Sequence, residues 1–411
     1  MIKMLNVYTQ ELDDPEKAVR EILQPLDIKN SLLKNSAALL FCHVKFIETG
    51  VAQAVYKNLP FDVVGCTSLF FGTPMTAGAP VIDSESDVIL TVTILTSDDI
   101  EFTMGISGSL NEENVDEGIQ ELYRRTAFSP GAGPPAGPPA LVFTFLPTIT
   151  SVSGDVMAAA LDRACAGIPI FGSLALDMNT RILNPKIIFK AGCQAAGQAS
   201  GECGTFSDRI ALLLFRGPVK PRFFHSSFPD KSIMSWDAVI TGAVGNRIIS
   251  INNKPSLSFL KDMGFFQDGM HEGILVYPLV VEYPNNETEV VIVQDISPEG
   301  QLICGRTVKA GGILNMVAVT ADTVLESVKI MSRDLKKNGN GTGFIMFSNF
   351  LRNIVLGGNS QIEYESVCEE MDGCPGSWLF LNSGGELCPG YTEKGELVNR
   401  FHQYAVIACQ F

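Results

Sequence analysis

Three short segments of the chain place glycine beside small hydroxyl or thiol side chains directly after an apolar run. Residues 65–68 read Gly-Cys-Thr-Ser, residues 172–173 read Gly-Ser, and residues 383–386 read Ser-Gly-Gly-Glu. At the carboxyl end of a strand, such residues leave backbone donors and space for a ligand, where open α/β sheets usually bind small molecules. The pattern predicts one shared ligand pocket; the alternative at each segment is that glycine only permits a tight turn. The predicted pocket residues in these segments are Gly65, Cys66, Thr67, Ser68, Gly172, Ser173, Ser383, Gly384, Gly385 and Glu386.

Two charged residues could complete the pocket. The guanidinium of Arg352 can hold a carboxylate through two parallel hydrogen bonds. The carboxylate of Glu386 can bind an amine or act as a base. The alternatives are a surface salt bridge for Arg352 and a solvated or capping carboxylate for Glu386.

Cys66 and Ser68 are also candidate nucleophiles. A nucleophile needs a base within hydrogen-bond reach, and the sequence pairs neither residue with any of its four histidines. The Gly-x-Ser-x-Gly pattern of serine hydrolases is not in the sequence. A serine or cysteine hydrolase therefore stays an alternative to a binding protein.

The sequence gives little support for a metal or a nucleotide cofactor. The four histidines are scattered, no Cys-x-x-Cys pair occurs, and Cys368, Cys374 and Cys388 are too far apart for usual zinc spacing. Neither a Walker loop nor Gly-x-Gly-x-x-Gly occurs. We expect no metal and no cofactor.

Repeated strand-helix-strand units must position these segments. Residues 37–42, 44–59 and 61–64 read as strand, helix and strand, and the pattern recurs about 107 residues later, so that Gly65 aligns with Gly172. A weaker third copy begins at residue 343 and ends at the third segment. Residues 88–95 with 100–106, and 209–215 with 222–225, predict antiparallel hairpins. The fold predicted is α/β, with mixed sheets in two pseudo-related lobes around a cleft.

Composition limits the partners. The chain has 30 Lys and Arg and 45 Asp and Glu, which gives a formal charge of −15. No run of basic residues is longer than the Lys336-Lys337 pair. Nucleic acid and anionic membranes both need clustered positive charge, so both are disfavoured. The N-terminus does not resemble a signal peptide, and no apolar stretch approaches the ~20 residues that cross a bilayer. We expect a cytoplasmic protein whose ten cysteines are mostly buried free thiols.

One low-complexity segment, residues 129–139, is rich in proline and glycine. It predicts a mobile loop or linker between the first two copies. It is also the single feature that favours a third class of function, a pure interaction scaffold.

The order of these motifs resembles that of the FIST family, named for F-box and intracellular signal transduction. The resemblance rests on residues 63–68, 169–175, 383–389 and 400–405, with support from 245–255 and 312–316, and it covers almost the full length. The family pattern Ser-Cys-x-x-Arg is met here by Ser348 and Arg352, but Asn349 replaces its cysteine. This departure puts a thiol-dependent role at that position in doubt and leaves Ser348 and Arg352 as candidate ligand-binding residues.

The resemblance implies a FIST N-like region over residues 1–250 and a FIST C-like region over 251–411. Together they would form one sensor for a small molecule, with amino acids as the proposed ligands. It does not imply catalysis. Since the two regions fill the chain, we expect the signal to pass to a partner protein.

Overall fold

The computed structural model describes most of the chain. The described residues are 1–26, 31–69, 71–72, 88–128, 137–149, 151–177, 184–192, 201–264, 278–283, 288–317, 319–338, 343–374, 376–391 and 395–411. Most of the Pro/Gly-rich segment at 129–139 lies outside them, so the predicted loop or linker stays a prediction.

The described residues form the following helices and strands. The helices are α1 (Pro15–Leu23), α2 (Lys45–Glu48), α3 (Val51–Asn58), α4 (Val115–Ala127), α5 (Gly154–Cys165), α6 (Ser256–Asp262), α7 (Ala321–Asn338), α8 (Phe350–Val355) and α9 (Ser360–Met371). The strands of the first half are β1 (Lys3–Thr9), β2 (Asn35–Cys42), β3 (Val63–Thr67), β4 (Phe71–Gly72), β5 (Leu90–Ser97), β6 (Glu101–Ile106), β7 (Pro139–Leu146), β8 (Ile170–Leu174), β9 (Ile187–Ala191), β10 (Glu202–Phe206), β11 (Ala211–Arg216) and β12 (Arg222–Ser226). Those of the second half are β13 (Ile233–Val244), β14 (Arg247–Ile251), β15 (Lys254–Pro255), β16 (Leu279–Glu282), β17 (Thr288–Val291), β18 (Val293–Ile296), β19 (Leu302–Cys304), β20 (Ile313–Val317), β21 (Gly343–Asn349), β22 (Ser377–Ser383), β23 (Glu386–Tyr391), β24 (Leu397–His402) and β25 (Val406–Gln410).

Three sheets share one topology. Their orders are β1-β5-β2-β3-β9-β10 in the first sheet, β6-β11-β7-β8-β23-β24 in the second and β12-β25-β21-β22-β4 in the third. In each sheet a strand-helix-strand unit supplies the parallel pair, β2 with β3, β7 with β8, or β21 with β22. An antiparallel strand, β5, β11 or β25, flanks each pair. The three predicted copies are therefore structurally equivalent.

The three sheets exchange strands. The strands that follow β3, β8 and β22 in the chain do not stay in their own sheet. β4 pairs with β22, β9 pairs with β3, and β23 pairs with β8. Each sheet is thus completed by the unit that follows another parallel pair, which ties the three copies into one body.

A common apolar core lies where the inner faces of the three sheets meet. Phe41 and Phe145, at equivalent positions of β2 and β7, have ring centroids 5.5 Å apart, and Phe347 of β21 lies 6.1 Å from Phe41. On the outer faces, α1 and α3 cover the first sheet, α4 and α5 the second, and α7 and α9 the third. Burial on both faces explains why these strands read as continuous apolar runs rather than as alternating patterns.

A fourth sheet is inserted between β12 and α7. Its order is β17-β16-β20-β13-β14-β19-β18, with β15 on β14, and α6 packs against it around Phe259 and Leu260. It has its own apolar core, which includes Ile240, Val281 and Leu314. Its strands pair antiparallel throughout.

The predicted α/β class with mixed sheets is confirmed. The division into two lobes is corrected, because the described strands form three equivalent sheets and an inserted fourth. The two predicted hairpins are also wrong: β6 pairs with β11 rather than β5, and β12 pairs with β25 rather than β11. In both cases the chain crosses to the next sheet, because the second strand begins the next repeated unit. The boundary near residue 250 stays a prediction.

Within the described residues, no helix has the length and apolar character needed to span a bilayer.

Candidate functional site

The three predicted segments meet in the interior. The Cys66 Sγ lies 3.9 Å from the Ser173 Oγ, although the two residues belong to different sheets. The Ser68 hydroxyl donates to the carbonyl oxygen of Asn382 at 2.6 Å. Strand β23 pairs with β8 so that Glu386 lies opposite Ser173. The convergence expected from the repeats is therefore present in the structure.

Gly65 and Gly172 do not lie in turns, and the expectation of strand-end glycines is corrected here. Both lie inside strands, β3 and β8. A Cβ on Gly65 would lie 1.8 Å from the carbonyl oxygen of Leu40, and one on Gly172 would lie 2.0 Å from that of Thr144. Both positions face the partner strand of a parallel pair. Glycine is thus required for close backbone approach, at equivalent places in two copies.

The converged segments are packed rather than open. Most of their side chains are buried, with Thr67 and Ser383 fully so. Burial raises the pKa of the Cys66 thiol to about 12, against a smaller opposing effect of Ser173, so this thiol stays protonated at neutral pH. A protonated, buried thiol is a poor nucleophile.

Glu386 lies at the same junction as a buried acid. Its Oε1 accepts hydrogen bonds from the Ser383 hydroxyl and, at 3.0 Å, from the Asn349 amide. Burial nevertheless raises the pKa of Glu386 to about 8, and these hydrogen bonds and the more distant Arg352 only partly oppose it. Near neutral pH this side chain is therefore mainly a neutral carboxylic acid.

Arg352 and Ser348 form a neighbouring cluster with Glu363. The Arg352 guanidinium is fully buried, and its Nε and Nη2 both lie 2.9 Å from Glu363 Oε1. The Ser348 hydroxyl lies 2.9 Å from each oxygen of the same carboxylate. The carboxylate that Arg352 holds in the structure is thus one of the chain's own. Ligand binding by these residues, or by the converged segments, stays a prediction.

A solvent-accessible cleft of about 550 Å³ lies elsewhere, between the second sheet and the inserted fourth sheet. One wall is the first part of α5, beginning at Asp155. The opposite wall comes from β16, β17 and residues 306–309. Its floor is strand β24 with the residues that follow it, and residues 225–228 close one end. We call it the Arg400 cleft.

Ionic groups join the two walls of the Arg400 cleft. Asp155 Oδ2 accepts a hydrogen bond from the backbone N–H of Thr307 at 2.9 Å. Arg306 pairs with Glu289, and its Nη1 donates to the carbonyl oxygen of Phe401 at 3.3 Å. Two buried atoms, Asp155 Oδ1 and Arg306 Nε, have no hydrogen-bond partner within the described part of the chain. Each wall therefore has a polar atom that forms no hydrogen bond with the described residues.

Arg400 is a second arginine of the cleft, and its side chain lacks hydrogen-bond partners among the described residues. Its guanidinium makes no hydrogen bond and no ion pair with any described residue, and its Nε is buried. It lies beside His225 and His402, whose rings have centroids 5.0 Å apart. Desolvation lowers the pKa of both imidazoles, that of His402 to about 3, and the charge of Arg400 lowers both further. Both rings are neutral at pH 7, and the net field at this end of the cleft is positive.

A backbone contact fixes the tautomer of His402 and opposes the lowering of its pKa. Its Nε2 lies 3.1 Å from the carbonyl oxygen of Cys388, so it must carry the proton of the neutral ring. The neighbouring Phe401 points to the opposite side of β24, where its ring covers Gly385 and Gly154 so closely that a Cβ on either would lie within 2.6 Å of it. Strand β24 thus separates the cleft from the buried junction.

A larger groove of about 740 Å³ lies near the N-terminus, between β1 and α1. Its charged groups are occupied by one another: Lys17 pairs with Glu11, and the Thr9 hydroxyl donates to Glu21. In the described residues, no group of three or more metal-ligating side chains was found. The Arg400 cleft is therefore the stronger candidate site.

Sequence reasoning did not select the cleft residues. Arg400 and His402 lie in residues 400–405, a stretch noted only for its family resemblance, and Arg306 drew no attention. A lone arginine carries no spacing signal. The alternation of Arg400 and His402 around Phe401 on one strand is the single pattern that could have suggested a shared polar face.

Comparisons with known proteins identify a family whose model matches this chain. A family model described as the FIST N domain matches residues 36–254, more than half of the chain. A search of curated proteins gave no match. Among solved structures, the cyanuric acid hydrolase from A. caulinodans is 8% identical, with a TM-score of 0.36, over 100% of this chain and 98% of that one. At that score the likeness supports no statement about function.

Proposed function

Because the chain belongs to the FIST family, a family of sensory domains in signal transduction, we propose that it senses a small, amino-acid-like metabolite that binds in the Arg400 cleft. The sensory role comes from the family. The ligand class and its place are the proposal, and they rest on the chemistry of the cleft.

The observation that carries the proposal is the guanidinium of Arg400, which has no hydrogen-bond or ion-pair partner among the described residues and lines a cleft of about 550 Å³. The Arg400 side chain is half-buried and only its Nε is fully buried, so a ligand carboxylate in the cleft could accept two charge-assisted hydrogen bonds from the guanidinium. The two neutral imidazoles beside it add no competing negative charge. An anionic group is therefore the expected occupant of this end.

The wall formed by α5 supplies a negative charge. Asp155 keeps one oxygen without a partner among the described residues, which suits an ammonium group. The rest of the lining is mixed, with apolar Val156 and Val290 beside polar or charged Asp162, Thr288 and Lys309. A zwitterion with a small apolar or polar side chain fits this arrangement of charges.

The position of the cleft suits a sensor. Its walls belong to the second sheet and to the inserted sheet, and the contact between Asp155 and Thr307 joins them. A ligand that bridges the walls would favour the closed arrangement by its differential affinity. We propose that a protein partner reads this change, and that the sensor works in the cytoplasm, where its free thiols stay reduced.

A hydrolase built on Cys66 or Ser68 has less support. Cys66 is a buried thiol whose described hydrogen-bonding neighbour is Ser173, and the Ser68 hydroxyl donates to a backbone carbonyl. Within the described part of the chain, neither residue forms a hydrogen bond with an imidazole that could act as base. Binding without turnover is the function we propose.

A thermal-shift screen tests the proposal. The purified full chain is heated with each of the twenty amino acids and with the matching amines that lack the carboxylate. At 100 times its dissociation constant, a ligand adds about 2.7 kcal/mol of stability. We expect at least one amino acid to raise the Tm while its amine does not. Arg400→Gln should lose that shift, whereas Arg247→Gln, which alters an exposed arginine outside the cleft, should keep it. No shift with any amino acid would refute the ligand class.

A further inference from the structure

Arg352 contacts more than its ion-pair partner. Besides the pair with Glu363, its Nη2 donates to the Ser327 hydroxyl at 2.8 Å and to the carbonyl oxygen of Val324 at 3.1 Å. Its Nη1 lies 3.4 Å from two further backbone carbonyl oxygens, those of Ser227 and Tyr404. One buried guanidinium therefore bridges α7, α9 and two loop segments.

Both of those loop carbonyls adjoin the Arg400 cleft. Ser227 lines the cleft and follows His225 by two residues. Tyr404 follows His402 by two residues and comes directly after the cleft residue Gln403. The two segments are also packed together, since the rings of Phe228 and Tyr404 have centroids 5.0 Å apart.

The backbone at Tyr404 is strained. Its φ is +62°, in the left-handed region that a bulky L-residue rarely adopts. The residue is fully buried, and a conformation of this kind persists only where the surroundings enforce it. The Nη1 group of Arg352 is one such constraint, because it holds the carbonyl that follows the strained φ.

We propose that Arg352 is a positioning residue of the Arg400 cleft: by holding the carbonyls of Ser227 and Tyr404 together, it fixes the two segments that carry His225 and His402. The inference rests on the proposed function for the purpose of the cleft. It assigns Arg352 to the support of the ligand site rather than to the ligand itself.

The chemistry requires arginine at this position. A guanidinium offers five N–H donors in a fixed planar fork, so it can contact Glu363 and Ser327 on one side and two carbonyls on the other. An ammonium group has three donors on one atom and cannot reach all of these acceptors. Arg352→Lys therefore keeps the positive charge beside Glu363 and gives up the contacts to Ser227 and Tyr404.

The chain offers a matched control. Arg216 is also buried and also donates to two backbone carbonyls, those of Gly137 and Ala127, at 2.9 and 2.8 Å. Neither carbonyl belongs to the Arg400 cleft. Arg216→Lys should therefore cost stability as Arg352→Lys does, without changing the cleft.

The readout is the NMR titration of the histidine rings, which needs no ligand. The chain has four histidines, and single His→Gln variants assign their signals. In Arg352→Lys we expect the His225 and His402 signals to move. The proton-binding constant of His225 should rise about threefold or more, because looser segments admit water and relieve desolvation. In Arg216→Lys both signals should stay as in the wild type.

Equal spectra for Arg352→Lys and the wild type would overturn the proposal, as would the same changes in Arg216→Lys. If Arg352→Lys does not fold, Ser327→Ala removes one acceptor of the same guanidinium and should move the same two signals by a smaller amount. Unchanged signals in that variant would count against the proposal in the same way. Failure of every amino acid in the thermal-shift screen would remove the ligand class but leave this test intact.

Discussion

Arg352 and Arg400 show how differently one protein can use the same side chain. Arg352 is fully buried, and its guanidinium contacts Glu363, Ser327 and three backbone carbonyls. Arg400 lines an open cleft, and its guanidinium has no partner among the described residues. The first arginine is satisfied by the fold. The second has no such contacts with the described residues.

The same contrast separates the two regions around them. The buried junction holds the glycine segments, Glu386 and the Arg352 cluster; many of its polar groups pair within the chain, although Glu386 Oε2 is buried without a hydrogen-bond partner among the described residues, and the junction is packed rather than open. The Arg400 cleft holds charges on both walls, some of whose atoms have no described partner. What marks a candidate ligand site here is unused hydrogen-bonding capacity beside open space, rather than the presence of reactive residue types.

The largest expected effect separates the two arginines by stability. Arg352→Ala leaves the charge of Glu363 buried without its partner, which should cost about 3–5 kcal/mol of unfolding free energy. Arg400→Ala removes no hydrogen bond or ion pair with a described residue and should change the unfolding free energy by less than about 1 kcal/mol. Urea denaturation of both variants measures the difference. Similar losses of unfolding free energy in the two variants would contradict the proposed difference between the two arginines.

The next effect tests why the junction contains glycine. In Gly65→Ala or Gly172→Ala, the new Cβ would meet a backbone carbonyl that cannot move aside, so each should destabilise the protein by about 1–3 kcal/mol or more. Gly108→Ala is the control, because no heavy atom lies within 4 Å of its Cβ position. Chemical denaturation should give nearly the same unfolding free energy for Gly108→Ala as for the wild type. A harmless Gly65→Ala would indicate that the glycine serves a ligand instead of the packing.

A third effect concerns pH at the junction. The pKa of Glu386 is about 8 in the folded protein and near 4.5 when exposed, so the unfolded chain releases this proton first as the pH rises. Glu386 therefore makes stability fall between pH 4.5 and 8, by at most about 1.4 kcal/mol per pH unit. Glu386→Gln stays neutral and removes this dependence.

Denaturation of wild type and Glu386→Gln at several pH values measures that contribution. The unfolding free energy of Glu386→Gln should rise relative to that of the wild type as the pH rises towards 8. Above pH 8 the difference between the two proteins should stay constant. A constant difference across this range would show that Glu386 is ionised in the folded protein and that the junction is less isolated from water than its burial indicates.

Much of the architecture could be predicted from the sequence, because the repeated unit is local. A strand, a helix and a second strand lie within about 30 residues, and the apolar runs and Pro60 mark their limits. The equivalence of Gly65 and Gly172 was also readable as a repeat. The hairpins were not, because the exchange of strands among three sheets depends on contacts between distant units.

The candidate site was less predictable for the same reason. Convergence of the glycine segments followed from their equivalence, but nothing local in residues 65–68 tells whether the meeting point is hollow or packed. Arg352 was expected to hold the carboxylate of a ligand, which stays a prediction, and the sequence does not show that Glu363, eleven residues away, pairs with it in the interior. Arg306 and Arg400 meet only because the inserted sheet packs against α5 and β24.

The most direct test of the cleft as the ligand site compares two variants with the amino acid that gives the largest thermal shift. Its binding is measured by calorimetry to the wild type, to Cys66→Ala at the junction and to Arg400→Gln in the cleft. We predict wild-type affinity in Cys66→Ala and loss of measurable binding in Arg400→Gln. Retained binding in Arg400→Gln together with loss in Cys66→Ala would place the ligand at the junction and contradict the account.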